Sequence, residues 1–335
     1  MDSPRLTTEQ IKEVAIFSGS CNIELAQEVV SGLGVELGKI ELKTFPNGER
    51  YVRYEESVRE KRLYLIQSLA STAIGSINDY NVEFKQMIRA ARGASANKIN
   101  AFPIPFAYAR HDKKDRGRET NAAADEIVQY EEAGADRLMT IDIHSEQTQG
   151  AARKPMDLLT SRPIFIPILR EKIAEDPNNS IFVSPDIGRI KTSAKYASRL
   201  GNIAFTMIAK ERLLEDPSQT IFPDRIDGVG GKNCYMVDDM IDTAGTIIGA
   251  SEVLKRSGAK TITVLATHGY FSNNAAEKLK QAPIDNIYTT NTIPQDDFKK
   301  ILGDHLHVAS VGPLLAEAIY TYENHGSISA LRREQ

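Results

Sequence analysis

The chain has 335 residues, long enough for about two domains. Its 41 Lys+Arg against 45 Asp+Glu leave a net charge of -4, so nucleic acid is not an expected partner. With 41% hydrophobic and 26% charged residues, wholesale disorder is excluded. No apolar run approaches the ~18 residues that a membrane-spanning helix needs, so no membrane partner is expected either. The N-terminal MDSPRLTTEQIKEV has no apolar core after a basic start and does not read as a secretory signal. Cys21 and Cys234 are too few for a disulfide framework and lack zinc-ligand spacing, which makes a cytoplasmic setting the expectation.

In chain order, the apolar pattern predicts strands over residues 14–17 and 63–67, then a helix over 78–96. A strand over 98–102, a helix over 121–132 and a strand over 137–141 follow. Beyond an interruption at 150–165, where Pro155 and Pro163 fall, come a strand over 181–184, a helix over 191–200 and a strand over 203–208. The last group is a strand over 234–237, a helix over 246–257, a strand over 261–266 and a helix over 314–322. Gly34, Gly134, Gly201 and Gly258 stand where helices stop. Several strands are apolar at both alternating positions, as parallel strands covered on two faces require. The alternation predicts doubly wound α/β layers with a first domain at 1–160, a second at 161–321 and a tail at 322–335 packing back on the first.

The most informative stretch is Val237-Asp-Asp-Met-Ile-Asp-Thr-Ala-Gly-Thr246. An apolar strand is expected to end at Val237, with carboxylates at Asp238, Asp239 and Asp242 and a helix opening at Thr243-Ala-Gly-Thr246. Ligands of open α/β sheets bind at the carboxyl ends of strands. Small residues such as Ala244 and Gly245 let backbone N–H groups approach an anion at a helix N-terminus, while Thr243 and Thr246 add hydroxyl donors. Carboxylates repel phosphate but suit sugar hydroxyls or a metal, so a sugar phosphate is the economical ligand. A plain N-capped helix, with Asp242 or Thr243 as the cap, is the alternative for a bare D-x-x-D-T pattern. The full string resembles the ribose-phosphate signature of phosphoribosyltransferase-type folds.

Four more stretches follow predicted strands: Phe106-Ala-Tyr-Ala-Arg-His111 and onward to Asp115, Ile141-Asp-Ile-His144 and onward to Gly150, Ser184-Pro-Asp-Ile-Gly188, and Lys210-Glu-Arg212. With Phe45-Pro-Asn-Gly-Glu49 they resemble the ribose-phosphate pyrophosphokinase (phosphoribosyl pyrophosphate synthetase) family in order and spacing. The likeness runs from about residue 14 to the tail Gly326-Ser-Ile-Ser329. It implies two related phosphoribosyltransferase-type α/β domains, each a mainly parallel sheet flanked by helices. The implied reaction moves the pyrophosphoryl group of MgATP to the anomeric hydroxyl of ribose 5-phosphate, a step in nucleotide biosynthesis.

The resemblance also implies roles. Lys210 and Arg212 bracket the transferring group, and residues two apart in extended chain share a face. ATP is held by Asn47, Gly48, Glu49, Arg110 and His111; no P-loop occurs. Ribose 5-phosphate is held by Arg212, Asp238, Asp239, Asp242, Thr243, Ala244, Gly245 and Thr246. His144 and Asp186 contact Mg²⁺, the expected cofactor. A basic lid at 110–120 closes over the reacting phosphates and excludes water. A homo-oligomer, dimer or hexamer, is expected, with inorganic phosphate or ADP as candidate effectors and Ser327 and Ser329 in the tail as anion donors. The sequence departs from the family at Asn47 (usually Asp), His111 (usually Gln), the lid from Arg118 to Asp125, Arg189 (usually Gly) and Ala151-Ala152 (usually aromatic). Two other functions share parts of this pattern: a phosphoribosyltransferase that consumes phosphoribosyl pyrophosphate, and a non-catalytic subunit of a synthetase assembly.

Overall fold

In the computed structural model, residues 5–185, 190–209, 211–212 and 220–332 are described, with backbone alone at 211, 212 and 220. The chain divides into two compact units: one holds residues up to 161 with 292–294 and from 310 onward, the other 162–291 and 295–309.

The first unit contains α1 (Thr8–Glu13), β1 (Val14–Ser18), α2 (Ile23–Leu33), β2 (Ile40–Thr44), β3 (Arg50–Tyr54), β4 (Arg62–Gln67), α3 (Ile77–Gly93), β5 (Lys98–Pro103), α4 (Ala122–Ala133), β6 (Arg137–Ile141) and β7 (Met156–Leu159). Strands β1, β4, β5, β6 and β7 form one all-parallel sheet in that order, while β2 and β3 pair only with each other, antiparallel. Local chemistry sets the helix ends. Ser76 and Asp79 make a reciprocal capping box at the start of α3. Asn22 caps α2, which ends at Gly34 with φ +71, a conformation that costs glycine little. The buried face of α3 repeats at Tyr80, Phe84, Met87, Ile88 and Ala91, the spacing of one helical stripe.

The second unit contains α5 (Arg162–Glu175), β8 (Ser180–Ser184), α6 (Ile190–Arg199), β9 (Ala204–Met207), β10 (Glu211–Arg212), β11 (Thr220–Ile221), β12 (Asn233–Ile241), α7 (Gly245–Arg256), β13 (Thr261–Gly269), α8 (Ala275–Gln281), β14 (Asn286–Thr290), α9 (Asp296–Leu302) and β15 (Leu306–Ala309). Its six-stranded sheet runs β15-β14-β13-β12-β8-β9, again all parallel. Both faces are covered. Cys234 and Met236 of β12 pack with Ile247, Ala250 and Leu254 of α7, whereas Tyr235 and Val237 pack with Phe165 and Leu169 of α5 and Tyr196 of α6. That alternation is why these strands read as unbroken apolar runs. Each unit is thus a parallel sheet flanked by helices, the expected fold class.

Three expectations change. The second domain does not run to residue 321, because α10 (Gly312–Glu323) belongs with the first unit. Its apolar face carries Leu315, Ala316, Ala318 and Ile319, and a Cβ at Gly32 of α2 would stand 3.1 Å from the Ala316 methyl. At its end the buried Glu323 accepts from Arg62 Nη2 at 2.7 Å and from the Tyr64 hydroxyl. The strand expected to stop at Val237 continues to Ile241, because Asp238 and Met240 keep register with Ala266 and His268 of β13. The interruption at 150–165 hides β7 and the start of α5. Pro163 falls in the first turn of that helix, where a missing N–H is harmless. Among the described residues no helix is long and apolar enough to cross a membrane.

Candidate active site

In the second unit the carboxyl end of β12 leads directly into α7. The alternation that puts Cys234 and Met236 on the α7 side and Tyr235 and Val237 on the other does not run to the strand end, because Ile241 packs in the cluster of Cys234 and Met236. Asp239 is buried, while Asp238 and Asp242 are half-buried. The two adjacent carboxylates are therefore not equivalent, a distinction that the string Asp238-Asp239 conceals.

The start of α7 is not the plain capped helix of the alternative reading. Its N-cap is Ala244, which has no polar side chain and sits at φ +61, left-handed backbone that costs a non-glycine residue ~1–2 kcal/mol. Strain of this kind persists where surrounding structure enforces it, commonly at sites. A Cβ built on Gly245 would meet nothing within 4 Å, and the backbone there is not left-handed. Neither packing nor conformation demands glycine at 245, so what it provides is open space beside the first N–H groups of the helix. Thr243 and Gly245 are exposed and Thr246 half-buried around that space. Charge at a helix N-terminus favours an anion there.

Arg212 lies on β10, which pairs with β11 in antiparallel register, Arg212 opposite Thr220. Lys210, Asp186 and Arg189 fall outside the described residues.

In the first unit, Asn47, Gly48 and Glu49 form the exposed turn between β2 and β3. Phe45 N–H donates to Glu49 O and Gly48 N–H to Phe45 O, each at 2.8 Å, and Asn47 Oδ1 accepts from Glu49 N–H at 3.2 Å. Gly48 has φ +92, which suits glycine in this turn. The loop after β5 carries Arg110 and His111, both exposed. Within its lid portion Glu119 Oε2 accepts from the N–H groups of Asp115 and Arg116 at 2.9 Å, and Asn121 both caps α4 and donates to Asp112 O at 2.9 Å. His144 is half-buried on the loop after β6, the strand next to β5. Arg110, His111 and His144 thus follow the carboxyl ends of neighbouring strands. Beside His144, Asp142 is committed to a brace: its Oδ2 accepts from Ser161 N–H at 2.9 Å and Ser161 Oγ at 2.6 Å. Neither cysteine is poised as a nucleophile, because burial pushes both the Cys21 and the Cys234 thiol up to about 12.

Sequence reasoning passed over a buried polar group at the carboxyl edge of β1 and β4, formed by Ser20, Gln67, Glu83 and Arg50. The polar residues Ser20 and Gln67 closing two apolar strands were the available signal. At the opposite edge, Arg62, Lys98 and Arg137 begin β4, β5 and β6. They line a cavity of about 740 Å³ that also includes Tyr322, Ser327 and Ser329. Ser327 Oγ lies 3.0 Å from Ser329 Oγ.

Two parallel α/β units, one with a strand that ends in carboxylates and leads into a helix opened by Gly245, put the chain in the class of α/β proteins whose ligand sites lie at the carboxyl ends of strands. A family model described as the N-terminal domain of ribose phosphate pyrophosphokinase matches residues 14–134, and one described as a phosphoribosyl synthetase-associated domain matches 206–333. The chain is 38% identical over 320 residues to a ribose-phosphate pyrophosphokinase of Bifidobacterium longum, spanning 96% of this chain and 92% of that one. It is likewise 38% identical over 323 residues to one of Corynebacterium efficiens, spanning 96% and 97%. A crystal structure of phosphoribosylpyrophosphate synthetase from Mycobacterium smegmatis matches with TM-score 0.85 and 34% identity, covering 94% of this chain and all of that one. The chain belongs to the ribose-phosphate pyrophosphokinase family.

Proposed function

We propose that the protein transfers the pyrophosphoryl group of MgATP to the anomeric hydroxyl of ribose 5-phosphate, giving phosphoribosyl pyrophosphate and AMP. The observation that carries this reading is the open start of α7 at Gly245, which follows Asp238 and Asp242 in the chain, in a protein of this family. The 5-phosphate takes the helix N–H groups and the hydroxyls of Thr243 and Thr246; the ribose hydroxyls donate to the carboxylates. The anomeric oxygen then attacks the β-phosphorus, the bond to the oxygen bridging the α-phosphorus breaks, and AMP leaves as the hydroxyl proton is lost to solvent. Lys210 and Arg212 offset the charge that builds on the transferring group. A transferase that merely consumes phosphoribosyl pyrophosphate shares the cradle but leaves the match over 14–134 without a purpose.

Mg²⁺ is part of the proposal. It favours oxygen ligands, takes few protein side chains, and completes its shell with water and phosphate oxygens. One imidazole, His144, and one carboxylate, Asp186, fit a cation carried largely by the nucleotide. When bound, it neutralises the polyphosphate. The product test is direct. Incubation with ATP, Mg²⁺ and ribose 5-phosphate should yield AMP and phosphoribosyl pyrophosphate in equal amounts; stoichiometric ADP would refute the reaction.

The reading extends to a homo-oligomer of at least two subunits, to a cytoplasmic setting, and to an inorganic phosphate or ADP effector at the amino-edge cavity. There Arg62 is paired with Glu13 and Glu323, and Arg137 with Asp157, whereas Lys98 lies 5.5 Å from the Tyr322 ring centre. Lys98, Ser327 and Ser329 are the groups suited to an added anion. Light scattering across a dilution series should show no active monomer. A phosphate titration of activity should respond in the parent protein and lose that response in the Ser327→Ala/Ser329→Ala variant. An unchanged response would remove the tail from regulation.

A further inference from the structure

Glu83 of α3 is fully buried. A carboxylate in that position is costly unless its oxygens are met and its charge is paired. Ser20 donates to it through N–H at 2.8 Å and through Oγ at 2.8 and 2.9 Å, and Gln67 Nε2 donates at 2.8 Å. The opposite charge comes from Arg50, whose Nη1 lies 3.5 Å from Glu83 Oε2. Arg50 is the first residue of β3 and directly follows Glu49. Its side chain is only 9% exposed. The guanidinium lies 5.3 Å from the centre of the Tyr80 ring, in room left by a glycine: a Cβ at Gly75 would stand 2.8 Å from Arg50 Nη2. The β2–β3 hairpin has no strand pairing with the five-stranded sheet, so beyond the backbone bond at its base from Gly38 N–H to Ile16 O, 2.8 Å, side chains dock it. Tyr54 does so at the end away from the turn, donating from its hydroxyl to Met87 O of α3 at 2.9 Å. Arg50 does so at the turn itself.

We infer that Arg50 is a positioning residue for the nucleoside triphosphate: its ion pair with Glu83 fixes the turn bearing Asn47, Gly48 and Glu49 at the carboxyl edge of the first sheet. The inference rests on the nucleotide role proposed for that turn. Arginine suits the task because its planar group pairs with the carboxylate while lying against an aromatic ring, which an ammonium does less well.

Steady-state kinetics with MgATP and ribose 5-phosphate varied separately, together with thermal unfolding, test it in three variants of the full chain. Arg50→Leu should raise the KM for MgATP about tenfold while kcat and the KM for ribose 5-phosphate stay within about twofold. Arg50→Lys should recover part of the lost nucleotide affinity. Arg50→Leu also leaves Glu83 buried without its counter-charge and should lower the melting temperature. The double variant Arg50→Leu/Glu83→Leu removes that stranded charge, so it should regain thermal stability yet keep the raised KM for MgATP. An unchanged KM for MgATP in either folded variant, or both KM values rising together, overturns the inference. A parent protein that forms no AMP from these substrates overturns the proposed function instead, so the two failures are distinct.

Discussion

Replacing Gly245 by valine is expected to raise the KM for ribose 5-phosphate by about 10- to 100-fold, the worth of one or two charge-assisted hydrogen bonds. A Cβ at this position meets no neighbouring element within 4 Å, so the new methyl groups extend into the space proposed for the 5-phosphate. The fold should not suffer. Valine is a better helix former than glycine, and the backbone at 245 is not left-handed, so the melting temperature should hold or rise slightly. That pairing of retained stability with lost sugar-phosphate affinity is what separates a ligand cradle from an ordinary helix start. The complementary variant is His144→Ala, on the loop after β6 in the first unit, which should weaken MgATP instead. If both variants lose the same substrate to the same degree, the division of labour between the two strand ends is wrong. An unchanged KM for ribose 5-phosphate in Gly245→Val removes the cradle from the reaction.

The sequence declared its parallel strands because burial on both faces leaves no polar alternation. Residues 63–66 and 234–237 are continuous apolar runs in the chain and buried in strands of the fold. The β2–β3 hairpin had no such signature. Its strands are half-exposed and carry Glu41, Lys43, Arg50 and Arg53 among their apolar residues, and no strand was expected there. Yet this hairpin bears the Asn47–Glu49 turn, whose place is fixed by Arg50 reaching Glu83, a residue 33 positions away. Nothing local encodes a contact of that kind.

The same reason explains α10. Its periodicity was plain, but its assignment to the first unit depends on Gly32 admitting Ala316 closely and on Arg62 and Tyr64 receiving Glu323. In the cradle, the order of residues was readable and the geometry was not. The sequence sets Asp238 and Asp239 side by side, whereas the fold buries Asp239 and leaves Asp238 half-buried, and the strained φ of Ala244 has no sequence signature at all.

Lys210→Ala is expected to lower kcat by about 100-fold or more, with both KM values near those of the parent, by analogy with losing one preorganised donor to a developing oxyanion. In the proposed Michaelis complex Mg²⁺ and water would share the β-phosphoryl charge, so removing one ammonium should cost little binding. In transit, charge concentrates on the equatorial oxygens of a loosely bonded group, and a cation already in place stabilises that state without reorganisation. The role proposed for Lys210 rests on the family resemblance of Lys210-Glu-Arg212, of which Arg212 stands on the extended backbone of β10. Arg212→Lys keeps a charge but loses the bidentate fork, so it should fall between the parent and Lys210→Ala in turnover and should also raise the KM for ribose 5-phosphate. The measurement is kcat and both KM values from AMP release at saturating Mg²⁺. A Lys210→Ala variant that loses only substrate affinity would make this lysine a ground-state binding group, and the transition-state charge would then have to be met by Arg212 and the metal.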